Sequence, residues 1–251
     1  MLTDRPLTHQ TLPILSALDA ERFGWVTAKL TVDTTTDFNA VDAWLEAHAV
    51  RFVIARVATD DTAQAQALEA RGYRLMDTLL YYLRTLGGAN IAPLELQAGY
   101  DLDVARPSPA EMRALAAQAF RGYMGHYHAD PAIAPALADE VYASWAERSA
   151  TDPAVAQHIV AIRYGSRLAA FATLNTCSGA CEGVLFAVDT SHRNQGLHRA
   201  LVRASLAHAQ AGGCHTFFSS TQVANHTVQR NWIREGLLPD RGCYTFHLTR
   251  E

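Results

Sequence analysis

The sequence predicts an α/β protein in two parts, and three observations carry that expectation. Strand-like and helix-like segments alternate along the first part, turn residues interrupt the pattern near residue 88, and a longer alternation follows. The chain has 251 residues, 49% of them hydrophobic, enough to bury one large core or two of roughly 100–150 residues each.

In the first part, Trp25 to Val32, Phe52 to Val57 and Arg74 to Arg84 read as strands, and Phe38 to His48 and Thr62 to Arg71 as helices. This is a β-α-β-α-β unit. The run Gly87-Gly88-Ala89-Asn90-Ile91-Ala92-Pro93 replaces helix and strand formers with turn residues. Domains are therefore expected at 1–88 and 100–251, with 89–99 as linker.

The second part opens with a strand candidate, Tyr100 to Ala105. Ser108 and Pro109 then suit the cap and first position of a helix reaching about Phe120. Gly122 to Pro135 has neither period, and it gathers Tyr123, His126, Tyr127 and His128 in a polar, aromatic loop of the kind that touches ligands. From about Ala136 a helix carries Leu137, Val141 and Trp145 on one face. Gln157 to Tyr164, Leu168 to Thr176 and Gly183 to Val188 read as an antiparallel meander. Leu197 to Ala211 is a helix, Thr216 to Ser220 a strand, Asn225 to Arg234 a helix and Cys243 to Thr249 a final strand. The order is β-α-α-β-β-β-α-β-α-β.

Composition narrows the function. Charged residues make up 18%, the net charge is -4 and the signs are interspersed, so no long-range field favours nucleic acid. No run reaches about 18 apolar residues, and the opening Met1-Leu2-Thr3-Asp4-Arg5-Pro6 lacks the pattern of a secretory signal. A soluble, cytoplasmic protein, monomer or homodimer, is expected. Cys177, Cys181, Cys214 and Cys243 are too scattered for a disulfide framework, and no residues stand at metal-ligand spacing. Buried or incidental thiols are the reading.

The stretch from Leu185 to Val202 is the most informative. An apolar strand ends, a polar loop turns, and a helix begins at Arg193-Asn194-Gln195-Gly196-Leu197-His198 with a glycine in its first turn. Free amides and the positive end of the helix dipole there can hold a pyrophosphate. Downstream stand Asn225, Val228, Trp232 and Gly236-Leu237.

These residues resemble the GCN5-related N-acetyltransferase (GNAT) superfamily. Its cofactor loop reads Arg or Gln, two residues, Gly, one residue, Gly or Ala, and here Arg193, Gly196 and His198 take those places. After the next strand the family has Asn, Ala, Tyr and Gly-Phe at the spacing of Asn225, Val228, Trp232 and Gly236-Leu237. The resemblance implies tandem GNAT-like folds with a mixed central sheet flanked by helices, the C-terminal half carrying the cofactor loop. It also implies acetyl-CoA as co-substrate, held by Arg193 to His198, with Phe186, Ala187 and Val188 along the pantetheine arm and Asn225 and Trp232 beside it. The Val188 amide would bind the thioester carbonyl, and Glu182 is in the region of a family carboxylate that serves as base. Two positions depart from the pattern. His198 is bulky where the family is small, and Trp232 stands where a tyrosine protonates the leaving thiolate, which an indole cannot do. Tyr244, Tyr123, Tyr127 and Cys243 are candidates for that proton, unranked.

The segment Phe120 to Ser149, with Tyr127-His128-Ala129-Asp130-Pro131, is similar to TDP-fucosamine acetyltransferases and their relatives, which acetylate nucleotide-linked amino sugars. The similarity implies a small-molecule amine acceptor near Tyr123, His126, Tyr127 and His128. An aminoglycoside or other small amine, and a non-catalytic acyl-CoA sensor or scaffold, stand as alternatives. Asp61 to Gly72-Tyr73 repeats the spacing of Asn225 to Gly236-Leu237, which suggests two related halves, the first degenerate.

Overall fold

The computed structural model describes residues 12–103 and 105–250, so the Met1 to Pro6 opening and Val104 of the first second-part strand lie outside the described residues. The chain forms two compact units, both discontinuous in sequence. The N-terminal unit comprises residues 12–80, 123–138 and 241–250; the C-terminal unit comprises 81–122 and 139–240. The segment expected to be a linker, 89–99, lies inside the C-terminal unit, and the chain passes between units within a strand at 80/81. Turn-rich composition at Gly87 to Pro93 marks the end of that strand and not a change of core.

In the N-terminal unit, β1 (Ile14–Leu15), α1 (Ala17–Phe23), β2 (Thr27–Val32), α2 (Phe38–Ala47), β3 (Phe52–Ala58) and α3 (Thr62–Ala70) come in order. β2 and β3 run parallel, with Thr27 opposite Phe52 and Val32 opposite Val57. Residues 74–80 of β4 (Arg74–Thr85) belong here too. The α1 helix was not legible in the sequence, because seven residues give under two full turns of period. Ser16 caps it by accepting from the Asp19 amide. Apolar residues of α2, α3, β2 and β3, such as Val41, Leu45, Leu68, Leu30, Val53 and Ala55, form the core with Phe246.

The C-terminal unit starts with residues 81–85 of β4, then β5 (Tyr100–Asp103) and α4 (Pro109–Ala119). Ser108 caps α4 as the sequence suggested, and with Glu111 it makes a capping box. The next segment, 123–138, returns to the N-terminal unit and contains a four-residue helix, α5 (His126–Ala129). α6 (Pro135–Thr151), β6 (His158–Tyr164), β7 (Arg167–Cys177), β8 (Ala180–Val188), a 3₁₀ turn (Thr190–His192), α7 (Leu197–Ala211), β9 (Thr216–Gln222), α8 (His226–Arg234) and β10 (Leu238–Thr249) follow. Strands β5 to β8 form an antiparallel meander and β9 joins β8 in parallel, a mixed sheet. Residues 241–249 of β10 serve the N-terminal unit, pairing antiparallel with β3. No helix among the described residues is long and apolar enough to cross a membrane.

Candidate active site

The site begins where β8 and β9 part. Their parallel ladder covers Ala180 to Gly183 against Thr216 to Ser219 and stops, although β8 continues to Val188 and β9 to Gln222. The Ser219 hydroxyl donates to the Gly183 carbonyl at 2.6 Å, beside the last rung. On the other side of β8 the register with β7 shifts between Thr173 and Leu174, and Leu185 donates to the Thr173 hydroxyl at 3.1 Å. Gly183 is required there, since a Cβ would stand 2.7 Å from the rings of Phe186 and Phe217.

The phase of the β7–β8 ladder fixes where the remaining amides point. Asp189 donates to the Ala169 carbonyl at 2.9 Å, and Ala170 lies opposite Val188. Hydrogen-bonded and non-hydrogen-bonded pairs alternate in an antiparallel ladder. The amides of Phe186 and Val188 therefore face away from β7, on the side where the β9 ladder has ended.

The chain leaves β8 through an Asx turn: Asp189 accepts from the Ser191 amide at 2.8 Å and its hydroxyl at 2.6 Å. Burial opposes ionisation of Asp189, but these two bonds outweigh it and hold the carboxyl below its usual value. Asn194 and Gly196 then take left-handed conformations, with φ of 64° and 78°. Gly196 is the N-cap of α7 and offers no side-chain cap, so the amides of the first turn are left to water or a ligand. The space around Gly196 is open and residues 193–196 are exposed, while Leu197 is buried as an anchor. Arg193 reaches back to the Ala119 carbonyl at the end of α4. This arrangement fits a pyrophosphate.

His198, the bulky residue of the loop, packs against β8 and α8. Its ring turns inward, 5.7 Å from that of Phe186, with Nδ1 3.5 Å from the Asn231 amide nitrogen. Burial pushes its pKa down to about 4, so it is neutral near pH 7. Its Nε2 and the indole nitrogen of Trp232 are buried polar atoms without a hydrogen-bond partner among the described residues. Trp232 is 2% exposed and packs on Tyr82 of β4, ring centroids 5.5 Å apart. The Tyr82 hydroxyl donates to Gln229 at 3.2 Å, and burial raises its pKa. This phenol was missed in the sequence because β4 lies about 150 residues from α8. Asn225 caps α8 by accepting from the Val228 amide at 3.4 Å, and its NH₂ donates to the Thr221 hydroxyl at 3.0 Å. Buried Glu235 ties α8 to α7 by accepting from Arg199 at 2.6 Å and Arg203 at 2.7 Å.

Glu182 is buried in the paired part of β8, opposite Asn175 and Phe218. The other residues singled out for acid or acceptor roles, Tyr123, His126, Tyr127, His128, Cys243 and Tyr244, belong to the N-terminal unit. Tyr244 lies opposite Val57 and packs with the apolar core there, and Cys243 is buried, its thiol pushed up by burial. All four cysteines are free thiols.

Two of those residues enter a buried polar network. Asp130 accepts from Nδ1 of His247 at 2.7 Å, and His247 Nε2 lies 2.8 Å from His126 Nδ1. Asp130 thus orients the His247 ring, whose other nitrogen shares a hydrogen bond with His126. Burial, then the neighbouring His247, Arg56 and Lys29, keep the His126 pKa well below its ordinary value. Alongside, the Tyr127 hydroxyl donates to Asp19 at 3.1 Å, and burial pushes that phenol up strongly. Burial works against the Asp19 carboxylate, but Lys29 at 2.9 Å and the Ser16 hydroxyl hold its pKa down.

Residues 117–234 match the model of the Acetyltransferase (GNAT) family. No curated protein shows significant sequence similarity to the chain. Solved structures share the fold. A GCN5-related N-acetyltransferase from Sphaerobacter thermophilus is 15% identical with a TM-score of 0.59, over 84% of this chain and 67% of that one. A tandem GNAT protein from the clavulanic acid biosynthesis pathway is 16% identical with a TM-score of 0.61, over 89% and 75%. A GCN5-related glucosamine N-acetyltransferase region of a fungal multi-domain β-N-acetylglucosaminidase is 14% identical with a TM-score of 0.61, over 94% of this chain and 31% of that one. Residues 117–234 are thus similar to the Acetyltransferase (GNAT) family, and the chain shares its fold with the GNAT structures.

Proposed function

We propose that the chain is an acyl-CoA-dependent N-acyltransferase, using acetyl-CoA and a primary amine of a small molecule. The observation that carries the reading is the uncapped start of α7 behind Gly196, at the end of a strand whose Phe186 and Val188 amides have no β9 partner. Acetyl-CoA would supply an activated acyl group. In this reading the first-turn amides of α7 hold its pyrophosphate, the Phe186 amide and Asn225 hold the pantetheine arm, and the Val188 amide stabilises charge on the thioester oxygen. Glu182, six residues before Val188 and so about 20 Å along the strand, takes the proton of the attacking amine through a chain of water. Within the C-terminal unit, Tyr82 is the candidate proton donor, since its phenol packs on Trp232 where the family tyrosine is absent.

A nucleotide-linked amino sugar is the acceptor we favour, from the resemblance of 120–149, and the glucosamine N-acetyltransferase fold is compatible with it. A reducing, cytoplasmic setting suits the four free thiols. A second reading, an acyl-CoA sensor, draws on Trp232, which places a group unable to donate a proton to thiolate in a buried position. Free-thiol release from acetyl-CoA with a panel of amines tests these. Turnover with a TDP-4-amino sugar and not with unrelated amines supports the sugar enzyme. Turnover with aminoglycosides alone reassigns the acceptor, and binding of acetyl-CoA with no turnover of any amine supports the sensor.

A further inference from the structure

Three aromatic rings of the C-terminal unit gather one residue before the helix-start loop. Tyr100 opens β5, Tyr164 ends β6, and His192 closes the 3₁₀ turn. The ring centroids lie 5.0 Å apart for Tyr100 and Tyr164, 5.3 Å for Tyr164 and His192, and 5.6 Å for Tyr100 and His192. The Tyr100 hydroxyl and His192 Nδ1 are hydrogen-bonded at 2.8 Å. Tyr164 is 47% exposed, yet its ring is held closely, since a Cβ on Gly99 would stand 2.7 Å from it. A ring fixed in this way can stack a flat solute with little further loss of side-chain freedom.

Exposed cations flank the cluster. Arg167 lies opposite Tyr164 across the β6–β7 turn, and Arg193 follows His192 in the chain. From His192 to Gly196 the backbone spans at most about 14 Å, the scale of a nucleoside diphosphate. The aromatic cluster thus lies no farther from the first-turn amides of α7 than the base and phosphate ends of one such ligand can reach.

We propose that Tyr164, backed by Tyr100 and His192, is the stacking platform for the adenine base of acetyl-CoA. The proposal rests on the acyltransferase reading, which puts the pyrophosphate at Gly196. The test is calorimetric binding of acetyl-CoA and of S-acetyl-4′-phosphopantetheine, which lacks the 3′-phosphoadenosine and one of the two bridging phosphates, to the full chain. Wild type is expected to prefer acetyl-CoA. Tyr164→Ala is expected to weaken acetyl-CoA binding roughly 5- to 100-fold while changing the truncated compound less than about twofold. Tyr164→Phe, which keeps the ring, retains the wild-type preference. Equal affinity of wild type for both compounds, or equal weakening of both by Tyr164→Ala, overturns the platform alone. A wild-type chain that binds neither compound overturns the acyltransferase reading, and the platform with it.

Discussion

In the N-terminal unit, β2 leads through Asp33 to α2, β3 and α3; in the C-terminal unit, β8 leads through Asp189 to α7, β9 and α8. The first strand of each pair runs parallel to the second. Asp33 accepts from the Thr35 amide at 2.8 Å and hydroxyl at 2.6 Å, the same turn at the same distances that Asp189 makes with Ser191. Asp61 and Asn225 cap the later helices, whose ends bond Tyr73 to Leu68 and Leu237 to Trp232 across Gly72 and Gly236. The internal spacing echo thus has a local structural counterpart.

The two segments part at the first helix start. In α2 the N-cap is Asp37, whose carboxylate accepts from the amides of Asn39 and Ala40. In α7 the N-cap is Gly196, with no side chain to occupy them. One start already holds an anion of its own; the other has no side-chain cap. The N-cap residue, and a loop three residues longer from Asp189 to Gly196 than from Asp33 to Asp37, separate a closed crossover from a candidate binding site.

Making the second start resemble the first is expected to have the largest effect. Gly196→Asp adds a carboxylate at the anion site and forces an L-residue to φ 78°, so acetyl-CoA affinity should drop by roughly 100-fold or more in titration calorimetry. Unchanged affinity would remove the loop from the binding site.

The second helical positions differ too, half-buried His198 against exposed Asn39. The folded pKa of His198 is about 4, below its unfolded value of about 6.5, so its contribution to stability is complete above pH 6.5. It is lost as pH falls toward 4, amounting to about 3 kcal/mol. Urea unfolding across this range should show the fall, and His198→Phe should flatten that part of it.

The two helix-ending glycines offer a paired test. Gly72→Ala and Gly236→Ala should each cost about 1–2 kcal/mol for a Cβ at positive φ. Gly236→Ala should cost more, because its Cβ would lie 3.2 Å from the Arg84 guanidinium, which also bonds the Glu235 carbonyl. Equal losses in thermal unfolding would show that the guanidinium yields freely. Smallest of all, Asp37→Ala should cost about 1 kcal/mol of stability and leave acetyl-CoA affinity unchanged.

Local signals made much of this legible. The bounds of α7 follow from Leu197, Ala200, Leu201, Ala204 and Leu206, and the start of α4 from Ser108 and Pro109. The alternation of Cys243, Thr245 and His247 with Tyr244, Phe246 and Leu248 was likewise open to view, and the latter three pack with the apolar core. What could not be read were pairings across distance: Tyr82 on Trp232, and His247 between Asp130 and His126. No period or spacing in the chain encodes them. The rotation of His198 also depends on Phe186 and Asn231, residues it meets only once β8 and α8 are placed.

The division of β10 bears on the timing of folding. Residues 243–249 pair with β3, at 52–58, and Phe246 completes the N-terminal core. Synthesis runs from the N-terminus, so the first 80 residues leave the ribosome nearly 170 residues before that strand exists. During that interval the edge of β3 destined for β10 is bare. A nascent chain stalled near residue 235 should therefore remain protease-sensitive at 12–80, and its protection should come late, after the closing strand has been released.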